Sequence, residues 1–235
     1  MALDYQGVRT VFRWILPGAF WMGSPADEKG RSDWEDRHRV TISRSFWLGE
    51  TVVTQALWQA VMSDNPSRFK GENLPVEQVN WDDVHHFINK LNSFHPALRT
   101  RLPWEAKWEY ACRAGSETAF HFGDELSLEQ ANYRGTWDLE GAGRQGKTAK
   151  KFTAGVRSYP CNQRGLYEMH GNVWEWCADT WQAHLGTSAQ VDPWRLQKKT
   201  ALGGRRVIRG GSWNDDGRDV RSAYRYGLAR QGVMV

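Results

Sequence analysis

The chain of 235 residues is poor in cysteine and has only Cys112, Cys161 and Cys177. An odd number of cysteines at irregular spacing does not form a disulfide framework. No apolar run is long enough to cross a bilayer. Residues 1–13 mix acidic and basic side chains and lack the apolar core of a secretory signal. These absences lead us to expect a soluble, reduced protein of the cytoplasm with no membrane partner.

Sequence motifs that bind metal ions or nucleic acid are also scarce. The seven histidines form neither an H-x-x-x-H nor an H-x-E pattern. The formal net charge is +4, and basic residues gather within residues 144–151 and 195–209. No nucleic-acid-binding motif accompanies them. The sequence therefore favours solvated basic loops, with nucleic acid as the alternative.

Tryptophan, in contrast, is abundant: its count of 14 exceeds that of phenylalanine, 9, and that of tyrosine, 7. The indole is large and carries one N–H donor, so it suits cores that are partly polar. Together with 23 glycines, this composition predicts loops held by aromatic anchors rather than a regular helical bundle.

Periodicity predicts a few elements in the first half of the chain. Residues 11–23 alternate in apolar character around a Pro-Gly pair and predict a β-hairpin, and residues 40–50 predict one strand. Helices are predicted after the N-caps Thr54 and Asn80 and from Pro103 to about residue 115.

The helical period disappears after residue 116, where glycines and aromatic residues dominate. Residues 135–151 predict a long loop. A few helices followed by a loop-rich second half indicate an α+β fold.

Two stretches in the second half carry a family resemblance: GLYEMHGNVWEWCADTW at 165–181 and RVIRGGSW at 206–213. With further segments in the same order, they resemble the formylglycine-generating-enzyme, or sulfatase-modifying-factor, family. The resemblance covers nearly the whole chain, residues 1–235, as one domain. It implies a C-type-lectin-like fold, with a small antiparallel sheet, peripheral helices and many loops.

The resemblance also implies features that this sequence lacks. The family's catalysts bind Cu(I) through two cysteines that follow the Gly-Gly-Ser element, and thiolates suit that soft ion. The corresponding residues, Asn214–Arg221, contain no cysteine, so we expect neither copper nor that chemistry. Family members end in a strand with a Gly-Phe-Arg element. This sequence ends in GVMV, which predicts an unpaired sheet edge.

Calcium is the metal that the resemblance implies. The family's site, transferred to this chain, consists of the Glu168 and Glu175 side chains and the carbonyl groups of Gly171 and Val173. Oxygen ligands suit such a hard cation. Glu168 departs from the usual Asn or Asp. A second site would use Asn132 and the carbonyl group of Tyr133. The alternative is that Glu175 only satisfies the backbone of a turn.

The segment after the Gly-Gly-Ser element combines aromatic and polar side chains, as binding surfaces do. Its candidate ligand-binding residues are Trp213, Asn214, Asp215, Asp216, Arg218, Asp219, Tyr224, Arg225 and Tyr226. The alternatives are an ordinary polar loop and, for the three aspartates, acid–base catalysis.

The sequence thus favours a non-catalytic module that binds a protein or another macromolecule. It also resembles the variable proteins of diversity-generating retroelements, which implies that residues 214–235 form the ligand surface. Two alternatives remain open: a divergent metal-dependent oxidase or protein-modifying enzyme, and a regulatory domain of a larger signalling or defence system.

Overall fold

The computed structural model describes residues 1–135, 149–195 and 204–234. Within them the chain forms three α-helices, one short 3₁₀ helix at Gly217–Val220 and three three-stranded sheets, so the α+β prediction is confirmed. The helices are α1 Gln55–Met62, α2 Trp81–Phe94 and α3 Glu105–Arg113. The strands are β1 Ala2–Tyr5, β2 Val8–Ile15, β3 Gly18–Met22, β4 His38–Ile42, β5 Phe46–Gly49, β6 Glu175–Thr180, β7 Gln190–Val191, β8 Arg206–Arg209 and β9 Tyr226–Leu228.

The first two helices begin where their capping residues predict. Thr54 accepts a hydrogen bond from the Leu57 amide at the start of α1. Asn80 accepts from the amides of Asp82 and Asp83, and the Asp83 carboxylate accepts from the Asn80 amide in return. This reciprocal capping box satisfies donors that a helix start leaves without a partner.

Both helices pack on the first sheet, in which β2 lies between β1 and β5. Their shared apolar cluster contains Leu3, Tyr5, Leu57, Trp58, Val61, Val79, Phe87 and Leu91. Trp58 and Phe87 stack with ring centroids 5.0 Å apart. We call this set the N-terminal apolar cluster.

Helix α3 begins two residues later than predicted, and its N-terminus is capped from elsewhere in the chain. The Asp179 carboxylate, on β6, accepts a hydrogen bond of 2.8 Å from the Glu105 amide. Trp104 occupies the N-cap position and makes no side-chain cap. A tertiary cap of this kind leaves no local signal in the sequence, which explains the shifted start.

The predicted hairpin over residues 11–23 is wrong. Strands β2 and β3 do lie on either side of Pro17, but β2 pairs with β1 and β5 whereas β3 pairs with β4. The chain therefore passes from one sheet to the next at this turn. Alternation identifies a strand but not its partner.

The single strand predicted over residues 40–50 is also wrong, because the chain forms β4 and β5 there, in different sheets. The two strands are separated at Ser43, whose amide donates a 2.9 Å hydrogen bond to the Asp192 carboxylate. A long-range contact thus breaks what reads locally as one alternating run.

Most of the loop predicted over residues 135–151 lies outside the described residues. Among the described helices, none has the length and apolar character needed to span a membrane.

Candidate functional site

The candidate ligand segment starts at the Gly210–Gly211 pair, where the backbone has positive φ. A Cβ atom at Gly211 would lie 2.5 Å from the Val220 side chain, so only glycine fits this close approach. Ser212 then donates two hydrogen bonds to the Asp215 carboxylate, 2.8 Å from its amide and 2.6 Å from its hydroxyl. The segment is therefore tightly turned.

Buried arginines fix this segment to the rest of the fold. Arg221 is fully buried and lies 2.6 Å from the buried Glu35 carboxylate and 2.5 Å from that of Glu28. Arg209, also fully buried, pairs with Glu109 and donates to the Ser222 carbonyl group at 2.9 Å. Charged hydrogen bonds of this kind are directional and strong.

Arg225 belongs to the same buried set, which corrects its assignment to the ligand surface. It is 2% exposed, and its guanidinium group binds both Glu105 oxygens at 2.7 and 2.8 Å. A side chain so placed positions β9 and is not available to a ligand.

The remaining predicted residues reach the surface to different degrees. Asn214, Arg218 and Tyr226 are exposed. The partly exposed ones are Trp213, Asp215, Asp216, Asp219 and Tyr224. Eight of the nine predicted residues are therefore at least partly exposed, and we call them the 213–226 surface.

Two aromatic residues that the sequence analysis missed belong to this surface. The Trp174 ring lies 6.0 Å from that of Tyr224 and 6.4 Å from that of Tyr226. The Phe69 ring contacts Trp213 edge-on at 5.8 Å. Phe69 is far away in sequence, so no local pattern could have indicated it. Trp174 lay within the recognised GNVWEW motif.

The carboxylates of the surface lie close to one another. Burial raises the pKa of Asp215, and the Asp216 charge adds to that effect. Burial and the Asp215 charge likewise raise the pKa of Asp219. Arg134 and Arg218 approach Asp216 at 3.8 and 3.7 Å. The surface thus places carboxylates and arginines beside aromatic rings, a combination suited to polar recognition.

The first predicted calcium site fits calcium only in part. Both Glu168 oxygens already accept backbone hydrogen bonds, from the amides of Arg157, Ser158 and Tyr159. The carboxylate braces that loop, and an ion would have to compete with three donors. Glu175 is different, because burial and the nearby Glu168 charge raise its pKa to about 7. A hydrogen bond with the Trp108 side chain acts in the opposite direction and lowers this pKa.

The second predicted site consists of buried, hydrogen-bonded residues. The Asn132 side chain donates to the Phe152 carbonyl group at 3.0 Å and to the Asn172 side chain at 3.1 Å. Its backbone carbonyl group accepts from the Asn172 amide at 2.7 Å. Tyr133 is buried, and its hydroxyl donates to the Leu126 carbonyl group. Neither calcium prediction is tested by these contacts, and both stay predictions.

Cys112 and Cys177 are buried, as predicted, and Cys161 is exposed. Burial raises the pKa of Cys112 to about 12 and that of Cys177 well above its usual value. Thiols with such pKa values are poor nucleophiles. His170 lies 3.8 Å from the Cys112 sulfur, but burial lowers the pKa of His170 to about 3. The two side chains of this buried pair therefore serve to pack the core.

Residues 8–232 match the family profile described as the sulfatase-modifying factor enzyme 1-like domain. The chain belongs to this family. It is 35% identical to the formylglycine-generating enzyme of Thermomonospora curvata over 183 residues, which are 74% of this chain and 55% of that enzyme. The chain thus spans about half the length of this relative.

Two solved structures share the fold over nearly their whole length. Treponema denticola variable protein 1 matches with a TM-score of 0.79 at 25% identity and covers 99% of this chain and 94% of its own. PvdO from Pseudomonas aeruginosa matches with a TM-score of 0.81 at 28% identity and covers 100% and 94%. The expected family fold is therefore confirmed.

Proposed function

We propose that this family member is a non-catalytic ligand-binding module whose 213–226 surface recognises a protein or another macromolecule. The observation that carries the proposal is the construction of the surface. Exposed aromatic and polar side chains stand on a segment fixed by the buried pairs of Arg209, Arg221 and Arg225. A preorganised face of this kind loses little entropy on binding.

The likeness to the Treponema denticola variable protein supports the same proposal. In this chain the segment that would be varied, residues 214–235, includes the exposed Asn214, Arg218 and Tyr226. The sequence of that segment contains no cysteine. A binding role therefore agrees both with the geometry and with the residue types present.

The test compares proteins captured by the immobilised chain with those captured by a triple variant, W213A/D216A/Y224A. We expect at least one ligand to be retained by the wild type and lost by the variant, since aromatic anchors dominate binding energy. The matched control is W14A/W47A, which removes two exposed tryptophans outside this surface. Circular dichroism checks that each variant is folded. Equal capture by the triple variant and the wild type would show that the surface is misplaced.

An enzymatic role is the second candidate, and the similarity to formylglycine-generating enzymes favours it. It would depend on the exposed Cys161 or on a metal centre. Oxygen uptake with a cysteine-containing peptide, measured with and without added copper, distinguishes the candidates. Uptake that the C161S variant abolishes would establish the enzyme, whereas no uptake supports the binding module.

Calcium remains part of the proposal, with Glu175 as its best-placed ligand. Plasma mass spectrometry of the purified chain measures the bound metal. About one calcium per chain, lost in E175Q, would support the site. Calcium retained by E175Q, or none in the wild type, would contradict it.

A further inference from the structure

Lys107 lies in the first turn of α3, yet its side chain is almost wholly removed from water. The residue is 9% exposed. Its Nζ atom lies 4.1 Å from the centre of the Trp104 ring and 4.8 Å from that of the Phe46 ring. Trp194, which is 52% exposed, stacks on Trp104 with ring centroids 5.8 Å apart. Aromatic rings thus surround one amine close to the surface of the protein.

This amine has no polar partner within the part of the chain that the structure describes, where Lys107 makes neither an ion pair nor a hydrogen bond. No acidic residue stands three or four positions before or after it in the sequence, so α3 supplies no partner along its own face. Asp192 acts on it electrostatically, but the Asp192 carboxylate accepts hydrogen bonds from the amide and the hydroxyl group of Ser43. A lysine buried in this way is rare unless it is paired.

The surroundings of Lys107 oppose the positive charge of an ammonium group. Burial lowers the pKa of Lys107 and the charge of Arg101 lowers it further, whereas the charge of Asp192 acts in the opposite direction. The Arg101 guanidinium group lies 5.8 Å from the centre of the same Trp104 ring, and the start of α3 adds the positive end of a helix dipole. Contacts with aromatic rings return only part of the hydration that an ammonium group loses. A larger share of this amine is therefore neutral at neutral pH than in an exposed lysine.

A neutral amine in such a site is a nucleophile, because only the unprotonated nitrogen has a free electron pair. Lysines that are desolvated or lie beside another cation are the ones that form imines with carbonyl compounds. The Nζ atom of Lys107 is not fully enclosed, so a small molecule can reach it. The rings of Trp104 and Trp194 beside it favour a flat, aromatic reactant.

We propose that Lys107 captures small aromatic aldehydes by forming an imine with them. The Nζ electron pair attacks the carbonyl carbon, a C–N bond forms, and a proton passes from nitrogen to the carbonyl oxygen. A second proton leaves nitrogen with that hydroxyl group as water, which gives the C=N bond and consumes no oxidant or reductant. Capture is reversible and stoichiometric. It is independent of the proposed function, since Phe46, Trp104 and Arg101 lie outside the 213–226 surface.

The test treats the intact protein with benzaldehyde at neutral pH and traps the imine with sodium cyanoborohydride, which reduces the C=N bond to a stable amine. Peptide mapping by mass spectrometry then gives the labelling rate of each lysine. We expect Lys107 to react at least tenfold faster than the exposed Lys70 and Lys151, although it is far less accessible. A rate for Lys107 equal to theirs or below it would overturn the proposal.

A variant and a pH profile distinguish a reactive amine from a merely structural one. Arg101→Gln removes a positive charge near Lys107, so we expect labelling of Lys107 at neutral pH to slow at least twofold. The control Arg37→Gln, at an exposed arginine paired with Glu117, should leave the rate unchanged. In the wild type, the rate plotted against pH should have its midpoint below about 10.4, the ordinary pKa of lysine. A midpoint at or above that value, or equal rates in Arg101→Gln and the wild type, would contradict the proposal.

Discussion

The interactions that hold the N-terminal helices differ from those that hold the candidate ligand segment of the C-terminal half. The N-terminal apolar cluster packs α1 and α2 on β1 and β2 with apolar and aromatic side chains. The C-terminal half also contributes apolar side chains to the core, but in addition it buries the guanidinium groups of Arg209, Arg221 and Arg225 against glutamates of the N-terminal half. Apolar packing tolerates replacement by side chains of similar shape. A buried ion pair is more specific, because removal of either partner leaves an unpaired charge in the interior. The candidate surface is built on the more specific half.

The largest effect expected from this comparison is that of breaking a buried ion pair. Arg209→Met leaves the buried Glu109 with Arg113 alone and the Ser222 carbonyl group without its donor, so the free energy of unfolding should fall by about 3–5 kcal/mol. The control Arg230→Met breaks a pair whose side chains are each 42% exposed, and it should cost less than about 1 kcal/mol. Urea unfolding measures both. Similar losses in the two variants would remove the distinction between the halves.

The second-largest effect is expected from truncation of a side chain in the N-terminal apolar cluster. Leu57→Ala removes a side chain that is 2% exposed, and a loss of about 3 kcal/mol is expected from lost burial and the cavity left behind. Leu16→Ala is the control, because Leu16 is 63% exposed and its loss should stay within about 0.5 kcal/mol. If Leu57→Ala also abolished ligand capture while the protein stayed folded, the two halves would not be independent.

A pH dependence should arise from two histidines of the C-terminal half, the buried His170 and the partly buried His121. Burial lowers the pKa of His170 to about 3 and that of His121 to about 4, below the ordinary value of about 6.5. The unfolded chain therefore binds more protons between these values, so stability falls as the pH drops from about 6.5 towards 4. His121→Gln should reduce that fall by on the order of 1–2 kcal/mol.

Urea unfolding at pH 7, 6 and 5 tests the histidine prediction. The control is His184→Gln, which changes an exposed imidazole and should leave the slope as it is. If the free energy of unfolding of His121→Gln changes with pH as much as that of the wild type, the pKa of His121 is not lowered in the folded protein.

The smallest effect on the free energy of unfolding is expected from removal of the Asn80 cap at the start of α2. Asn80→Ala removes the acceptor for two amides at the start of α2 and should cost about 1 kcal/mol. Asn214→Ala, at an exposed position, should change the free energy of unfolding by less than about 0.5 kcal/mol. A loss below that limit for Asn80→Ala would mean that tertiary packing alone holds the helix start.

Local chemistry explains which parts of the fold were predictable. The Thr54 and Asn80 caps act within three residues, so the starts of α1 and α2 follow from the sequence. Burial of Cys112 and Cys177 was inferred from their motifs and is confirmed. Strand partners were not predictable, since the alternation of residues 11–23 is compatible with a hairpin and with two separate sheets.

The candidate site shows the same limit. The aromatic and acidic residue types of positions 213–226 were visible, but the burial of Arg225 was not, because Glu105 lies 120 residues away in the chain. Phe69 joined the surface through a contact with Trp213 that no spacing rule describes. Long-range pairing decides which member of a polar segment points outward.

By itself, the sequence determined the α+β class, two helix starts and the lack of cysteine after the Gly-Gly-Ser element. Those features depend on neighbouring residues or on residue identity alone. Only the tertiary structure decided that buried arginines fix the segment that carries the 213–226 surface. These ion pairs form between segments distant in sequence, and their geometry exists only once the chain has folded.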